Sequence, residues 1–218
     1  MKIGIIVAMD KELHSLQSLF TDGSVVVEKS GIGKVNAAIG AAEMIRRYQP
    51  DVIISSGCAG GADTSLNVQD VVVSTQLSYH DVYCGEAVGS STYGQVQGMP
   101  ARFEADPQLL SLAQSLDCET NIVPGLIVTG DWFVDSKEKM REIIGHFPDA
   151  AAVDMESAAI AQTCYIYHVP FISFRVVSDI PLKDTNAAMY HDFWARVAEE
   201  SFGVTKLFTQ AVMNNYKK

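Results

Sequence analysis

The stretch Asp51-Val52-Ile53-Ile54-Ser55-Ser56-Gly57-Cys58-Ala59-Gly60-Gly61 changes character half-way along. Asp51 to Ser56 carries an unbroken β-branched run, the pattern of a strand covered on both faces. Gly57 to Gly61 is built from small residues. At the carboxyl end of a strand in an open α/β sheet, small residues leave room for a ligand; a plain flexible turn is the other reading. Similar apolar runs predict strands at Lys2–Ala8, Ser24–Glu28, Asp70–Leu77, Gly125–Thr129 and Pro170–Val177.

Helical spacing fills the intervals. Leu13, Leu16 and Phe20 share a face after Met9, and Ala38, Ile39, Ala42 and Ile45 share one after Gly33. Leu109, Leu112 and Leu116 mark a third helix. Asp135 with Glu138 three residues on predicts the cap of a fourth that runs to Phe147. An Ala-rich helix covers Met155 to His168. A long terminal helix spans Asp192 to Asn215, with Phe193, Val197, Val204, Leu207 and Phe208 inward. Alternation of this kind predicts a three-layer α/β/α sandwich around a central mixed, mostly parallel twisted sheet. The longest aperiodic stretch, Gly85 to Pro100, reads as a functional loop. No repeat or composition break divides the chain, so residues 1–218 are expected to form one domain.

Composition narrows the function classes. The chain has 218 residues, of which 48% are hydrophobic and 19% charged, as a globular protein with a sizeable core requires. Lys+Arg 16 against Asp+Glu 26 gives a net charge of −10, which disfavours a nucleic-acid groove or an anionic membrane surface. Cys58, Cys84, Cys118 and Cys164 are scattered, without metal-ligand spacing or a redox CxxC pair. They read as reduced thiols of a cytoplasmic protein with no metal site. The run Lys2–Ala8 leads straight into Asp10-Lys11-Glu12 and reads as a strand rather than a signal peptide. No apolar run is long enough for a membrane span.

Several motifs sit where strands meet helices. Ser30-Gly31-Ile32-Gly33-Lys34-Val35-Asn36 is either a tight packing turn or a close backbone approach to a small ligand. Asn36 replaces the third glycine of a dinucleotide fingerprint, and Val35 the hydroxyl residue of a P-loop. Glu12 lies in the first turn of a helix, where the dipole favours an ionised carboxylate able to act as a base. Glu156 stands at a helix start, as a partner for a ribose diol. Asp179 ends the strand Phe174-Arg175-Val176-Val177-Ser178-Asp179. Each acid alone reads equally as a cap or a surface charge; three at one sheet edge suggest a site. In Gly130-Asp131-Trp132-Phe133-Val134 the aromatic pair is either core or a stacking wall for a flat base. His80-Asp81, with Tyr83 nearby, is a structural loop histidine or a general-base pair.

In order along the chain, Gly4-Ile5-Ile6-Val7-Ala8-Met9 with Glu12, Ser30 to Val35, Gly57 to Gly61, Tyr79-His80-Asp81, Gly130 to Val134, Met155-Glu156 and Arg175 to Asp179 resemble the methylthioadenosine/S-adenosylhomocysteine nucleosidases. These are part of the wider nucleoside phosphorylase superfamily. The resemblance implies a nucleoside phosphorylase-like fold and hydrolysis of the N-glycosidic bond of methylthioadenosine and S-adenosylhomocysteine, and of 5′-deoxyadenosine, without a cofactor. It implies that Glu12, helped by Arg175, activates water, and that Asp179, positioned by Ser178, protonates adenine N7. Asp179 would be kept protonated by Glu156 nearby and by apolar surroundings. Glu156 would hold the ribose hydroxyls with Met155 against the sugar. Phe133 would stack on the base, and the Val134 backbone would read its edge. Met9 and Ile32 would line the 5′ side, and Cys58, Ala59 and Gly60 the floor. A homodimer is implied, with the loop Val82 to Gln97 and its Tyr93 closing the partner's 5′-tail pocket.

The chain departs from the family at three places. Cys58 stands where Ser is usual, beside the water; the segment Leu19 to Ser30 lacks a hairpin; and Gln97 stands where Pro is common. Phosphorylases of the superfamily carry an Arg where this chain has Ser55, and an Arg-bearing loop where it has Asp10-Lys11-Glu12. The alternatives to a nucleosidase of these substrates are a phosphorylase or another nucleosidase on this fold, and a non-catalytic purine-binding protein.

Overall fold

The computed structural model describes residues 1–20, 23–85, 92–183, 189–193 and 202–217. In chain order the elements are β1 (Ile3–Val7), α1 (Asp10–Gln17), β2 (Val25–Lys29), α2 (Lys34–Tyr48), β3 (Val52–Gly61), β4 (Val71–Tyr79), β5 (Phe103–Glu104) and α3 (Pro107–Gln114). Then come β6 (Ile122–Thr129), α4 (Lys137–His146), β7 (Ala150–Asp154), α5 (Ser157–Tyr167), β8 (Phe171–Asp179) and α6 (Gly203–Asn215). Residues 189–193 are helical.

The strands form one mixed sheet ordered β2-β1-β3-β7-β6-β4-β5, with β8 paired to both β3 and β4. The pairs β1–β2, β1–β3, β3–β8, β4–β6 and β6–β7 are parallel. The pairs β3–β7, β4–β8 and β4–β5 are antiparallel.

Alternation along the strands divides the core by face. Ile53 and Val72 join Ala37, Ala41 and Met44 of α2 and Ala158 and Ala161 of α5 on one side. Val52, Ile54, Val71, Val73, Ile172 and Phe174 join Leu16 of α1, Leu109 and Ala113 of α3, and Val204, Phe208 and Val212 of α6 on the other. Helices on both faces make the sandwich the sequence predicts. A third cluster packs Met140, Ile143 and Phe147 against Leu126 and Val128 of β6.

Several local expectations shift. The inward face of α2 is Ala37, Ala41 and Met44, whereas Ile39 is 58% exposed. Ser136, not Asp135, caps α4, its hydroxyl accepting from the Lys139 N–H. Phe20 lies beyond the end of α1, and Leu207 is 45% exposed. Val197, within the predicted long terminal helix, falls outside the described residues, as does 86–91 of the predicted loop. β7 and β5 add to the six predicted strands. β3 and β8 run further than expected, so Cys58 to Gly61 belong to a strand rather than to a turn after it. A register shift at Ala59/Gly60 interrupts the β3–β8 ladder at that end.

Phe208 seals α6 onto the sheet by stacking on Phe174, with ring centroids 4.9 Å apart and planes within 2°. Truncating a buried aromatic costs about 3–5 kcal/mol. Phe208→Ala should lower the urea-unfolding free energy by about 3 kcal/mol. A loss under about 1 kcal/mol would show that α6 is not part of the cooperative core.

Candidate active site

Seven chain segments, five of them at or just past the carboxyl ends of β1, β3, β6, β7 and β8, meet around a pocket of about 660 Å³, open mouth included. Its lining contains Met9, Glu12, Ile32, Cys58, Ala59, Gly60, Phe133, Val134, Met155, Glu156, Ser178 and Asp179. These are sites the sequence singles out. The lining also contains Trp132, the other member of the aromatic pair read as core or stacking wall, and Ala8, Val153, Asp154 and Tyr190, to which sequence reasoning gave no site role. Tyr190 meets Phe133 edge-on at 5.4 Å, and its sequence neighbourhood gives no signal of that contact.

Glu12 is 1% exposed. The turn from β1 into α1 folds so that the Ala8 and Met9 N–H groups donate to its Oε2 at 2.8 and 3.0 Å. Cys58 N–H donates to Oε1 at 3.1 Å. Burial raises the Glu12 pKa, outweighing the Arg175 charge and those three bonds, which lower it. The expectation of a dipole-favoured ionised form is therefore corrected: removal from water is the larger effect. Burial likewise pushes the Cys58 thiol well up, so it lines the floor as a neutral group.

Arg175 lies behind this floor, 1% exposed. Its Nε is 2.9 Å from Asp154 Oδ2 and donates to Ser157 Oγ at 3.0 Å. Nη2 donates to Ser55 Oγ at 2.8 Å and lies 3.7 Å from Glu156 Oε2. Nη1 has no hydrogen-bond partner among the described residues. A Cβ on Gly57 would overlap Nη1 and come within 2.7 Å of Glu12 Oε1. Glycine at 57 thus lets the guanidinium and the carboxylate approach one backbone segment. Asp154 and Ser157 flank Glu156 in sequence and serve Arg175 rather than the pocket contents; Ser157 Oγ also donates to Asp154 Oδ2.

Glu156 Oε1 accepts from Gly33 N–H at 3.0 Å. Gly33 has φ 92°, a left-handed conformation that favours glycine. The Ser30–Asn36 turn is therefore a close backbone approach, made to a carboxylate of the site. Burial raises the Glu156 pKa, with Arg175 opposing.

Ser178 Oγ donates to Asp179 Oδ1 at 2.8 Å. Burial raises the Asp179 pKa from 3.8 to about 6, and the Ser178 bond opposes it. Desolvation, not a neighbouring Glu156 charge, is what raises it, so the acid stays protonated up to about pH 6.

Two expected groups stand apart from the pocket lining. Tyr93 stacks on His146 at 3.7 Å and donates to the His80 carbonyl. His80 and Asp81 make no base pair: the imidazole is buried, its nitrogens unpartnered among the described residues, while Asp81 binds Lys34. Burial lowers the His80 pKa.

The sequence profile of the phosphorylase superfamily matches residues 17–210. A protein of Exiguobacterium sp. named 5′-methylthioadenosine/S-adenosylhomocysteine nucleosidase is 41% identical, over 97% of this chain and all of its own length. One of the same name from Bacillus cytotoxicus is 42% identical over 86% of this chain and 90% of its own. The chain belongs to this nucleosidase family of the phosphorylase superfamily. The nucleosidase of Neisseria meningitidis in complex with methylthio-immucillin-A superposes with a TM-score of 0.88 at 34% identity. That match covers 96% of this chain and 99% of the other. The nucleosidase of Colwellia psychrerythraea in complex with adenine also gives 0.88, at 35% identity, covering 97% and 95%.

The raised Asp179 pKa carries a stability consequence. At a pH below 3.8 the group is neutral folded and unfolded; above about 6 the folded state holds a buried charge. Stability is thus lost as pH rises through that window. Asp179→Asn, which keeps the Ser178 acceptor, should stabilise the protein at about pH 7.5 by on the order of 2–3 kcal/mol and not at about pH 3.5. Urea midpoints at the two pH values measure it; a variant no more stable at the higher pH would refute the desolvation account.

Proposed function

We propose that this protein hydrolyses the N-glycosidic bond of 5′-methylthioadenosine and S-adenosylhomocysteine, and of 5′-deoxyadenosine, releasing adenine and the 5′-substituted ribose. The observation that carries this reading is a pocket holding two buried carboxyl groups of raised pKa, Glu12 and Asp179, with no Lys or Arg in its described lining. Glycosidic cleavage through an oxocarbenium-like state needs an acid at the leaving group and a base at the water. Asp179 gives its proton to adenine N7 as the C1′–N9 bond breaks. Glu12 takes a proton from the attacking water, with the Arg175 charge holding its ionised form within reach. Solvent returns the proton from Glu12 to Asp179 after release.

Phe133 and Val134 hold the base, Glu156 the ribose diol, Met155 the sugar face, and Met9 and Ile32 the 5′ side. A phosphorylase needs cations for its phosphate. Ser55 is fully buried under Arg175, and the pocket wall carries Glu12, Asp154, Glu156 and Asp179. That balance suits water and repels phosphate.

We assign the active unit as a homodimer in which the loop Val82 to Gln97, with Tyr93, closes the partner's 5′-tail pocket. Ile32, Val35 and Ile39, 50%, 70% and 58% exposed, form an apolar strip that continues from the pocket mouth and suits a partner surface. The cysteines are free thiols, which suits the cytoplasm. Among the described residues no helix is long and apolar enough to cross a membrane.

Purified protein incubated with the three nucleosides, with and without phosphate, should release free adenine equally in both. A requirement for phosphate, or ribose 1-phosphate as product, would make it a phosphorylase; binding without turnover would make it a sensor. Glu12→Gln and Asp179→Asn should each lower kcat by about 10²–10⁴-fold while remaining folded. A folded variant within a few-fold of the wild type would remove that group from the mechanism.

The role of Glu156 has its own test. A site built to bond a hydroxyl rejects an analogue that lacks it. Glu156→Ala should depress kcat/KM for the ribonucleoside and narrow its advantage over the 2′-deoxy analogue. An unchanged ratio would make the carboxylate structural.

A further inference from the structure

Lys34, Asp81 and Asp131 come from three separate elements and form one bridge at the rim of the site. Lys34 Nζ donates to both Asp81 carboxylate oxygens at 2.7 Å and lies 3.8 Å from Asp131 Oδ2. The Lys34 N–H donates to Asp131 Oδ1 at 2.7 Å, so Asp131 serves as the cap that Gly33 cannot supply to α2. Asp131 N–H donates to Asp81 Oδ2 at 2.8 Å. Side chains of Lys34 and Asp81 are only 22% and 26% exposed. Lys34 Nζ also lies 5.6 Å from the centre of the Tyr79 ring.

The two loops joined in this way do different work. One is the Gly31–Gly33 turn, whose last N–H orients Glu156. The other is Gly130–Val134, which begins with Gly130 N–H donating to the Asp154 carbonyl at 3.1 Å and ends in the pocket at Phe133 and Val134. The His80 ring packs so closely on Gly130 that any side chain there would overlap it. The base-binding loop is thus fixed from beneath by His80 and from the side by Asp81, and Lys34 ties it to the ribose-side turn.

We propose that Lys34, Asp81 and Asp131 form a positioning bridge that locks the base-binding loop to the turn that orients Glu156, so that a nucleoside's base and ribose are bound in one register. These residues act through Glu156 and Phe133 and touch no reacting atom. The inference rests on the nucleosidase reading, which the wild type's own adenine release checks separately.

The test uses the full chain and compares Lys34→Met with Lys34→Arg. Both keep the backbone bond to Asp131, and arginine keeps a two-pronged bond to a carboxylate. For Lys34→Met the KM for methylthioadenosine should rise roughly five- to tenfold, with kcat within about threefold of the wild type. The Kd for adenine alone, which has no ribose to register, should stay within about twofold. Lys34→Arg should restore most of the KM. An active wild type with an unchanged KM in Lys34→Met would overturn the bridge. So would equal weakening of adenine and nucleoside, or failure of arginine to rescue. If Lys34→Met does not fold, Asp81→Ala, which removes the acceptors of both Lys34 Nζ and Asp131 N–H, takes its place, judged by the same split between adenine and nucleoside.

Discussion

A guanidinium with 1% of its side chain exposed sits in the middle of this sheet, and the site is assembled around it. Taking a charge that far from water costs several kcal/mol unless opposite charge and hydrogen bonds replace the solvent. Asp154 supplies the charge at 2.9 Å, and Ser55 and Ser157 supply acceptors. These partners come from β7, β3 and the start of α5, so the groups that neutralise Arg175 also fix how those elements meet. Ser173 follows the same logic: its hydroxyl pairs with Ser157 and its N–H reaches Ser74. A polar seam runs through an otherwise apolar sheet, and it ends at the pocket.

The seam sets the protonation of the site. Glu12 and Glu156 are both buried enough to favour the neutral acid, and Arg175 draws both towards ionisation. Desolvation raises the Asp179 pKa to about 6 against the opposing Ser178 bond. Both Glu12 and Asp179 are pushed towards the neutral acid, and the Arg175 charge, which acts on Glu12 and not on Asp179, is what distinguishes base from acid. The glycines permit this crowding. Position 57 has no side chain because the guanidinium and Glu12 occupy that space, and position 33 turns left-handed to offer its N–H to Glu156.

The sandwich was legible because buried strands of apolar residues announce themselves without any alternation to decode. β7 was harder: Ala150-Ala151-Ala152 has weak strand propensity and is a strand only because β6 and β3 pair with it. The face of α2 was misplaced in part. Of the predicted face, Ala38 and Ile45 pack part-buried against the core and Ile39 is exposed, while the buried centre is Ala37, Ala41 and Met44, whose side chain fills the space that Gly4 leaves open. In the site, Glu12, Glu156 and Asp179 were readable from their places at strand ends. Asp154 and Ser157 drew no role from the sequence, because the partner they serve lies about twenty residues away on another strand. Tyr190 carried no periodic signal at all. Residues whose work is done through a long-range contact are invisible to spacing.

Charge distribution separates this site from a phosphate-using one on the same fold. Two of the three Arg175 guanidinium nitrogens are committed to Asp154, Ser157, Ser55 and Glu156, leaving only Nη1 without a hydrogen-bond partner among the described residues. One donor can orient a neutral nucleophile. A phosphate dianion needs several donors and net positive charge, and here it would meet Glu12 held in place by three backbone N–H groups. Converting the site would require a cation at position 55, and Ser55 is fully buried with its hydroxyl already engaged. An arginine there would have to displace Arg175 from its acceptors and break the seam that holds the sheet together. The preference for water is therefore built into the core packing, not only into the pocket wall.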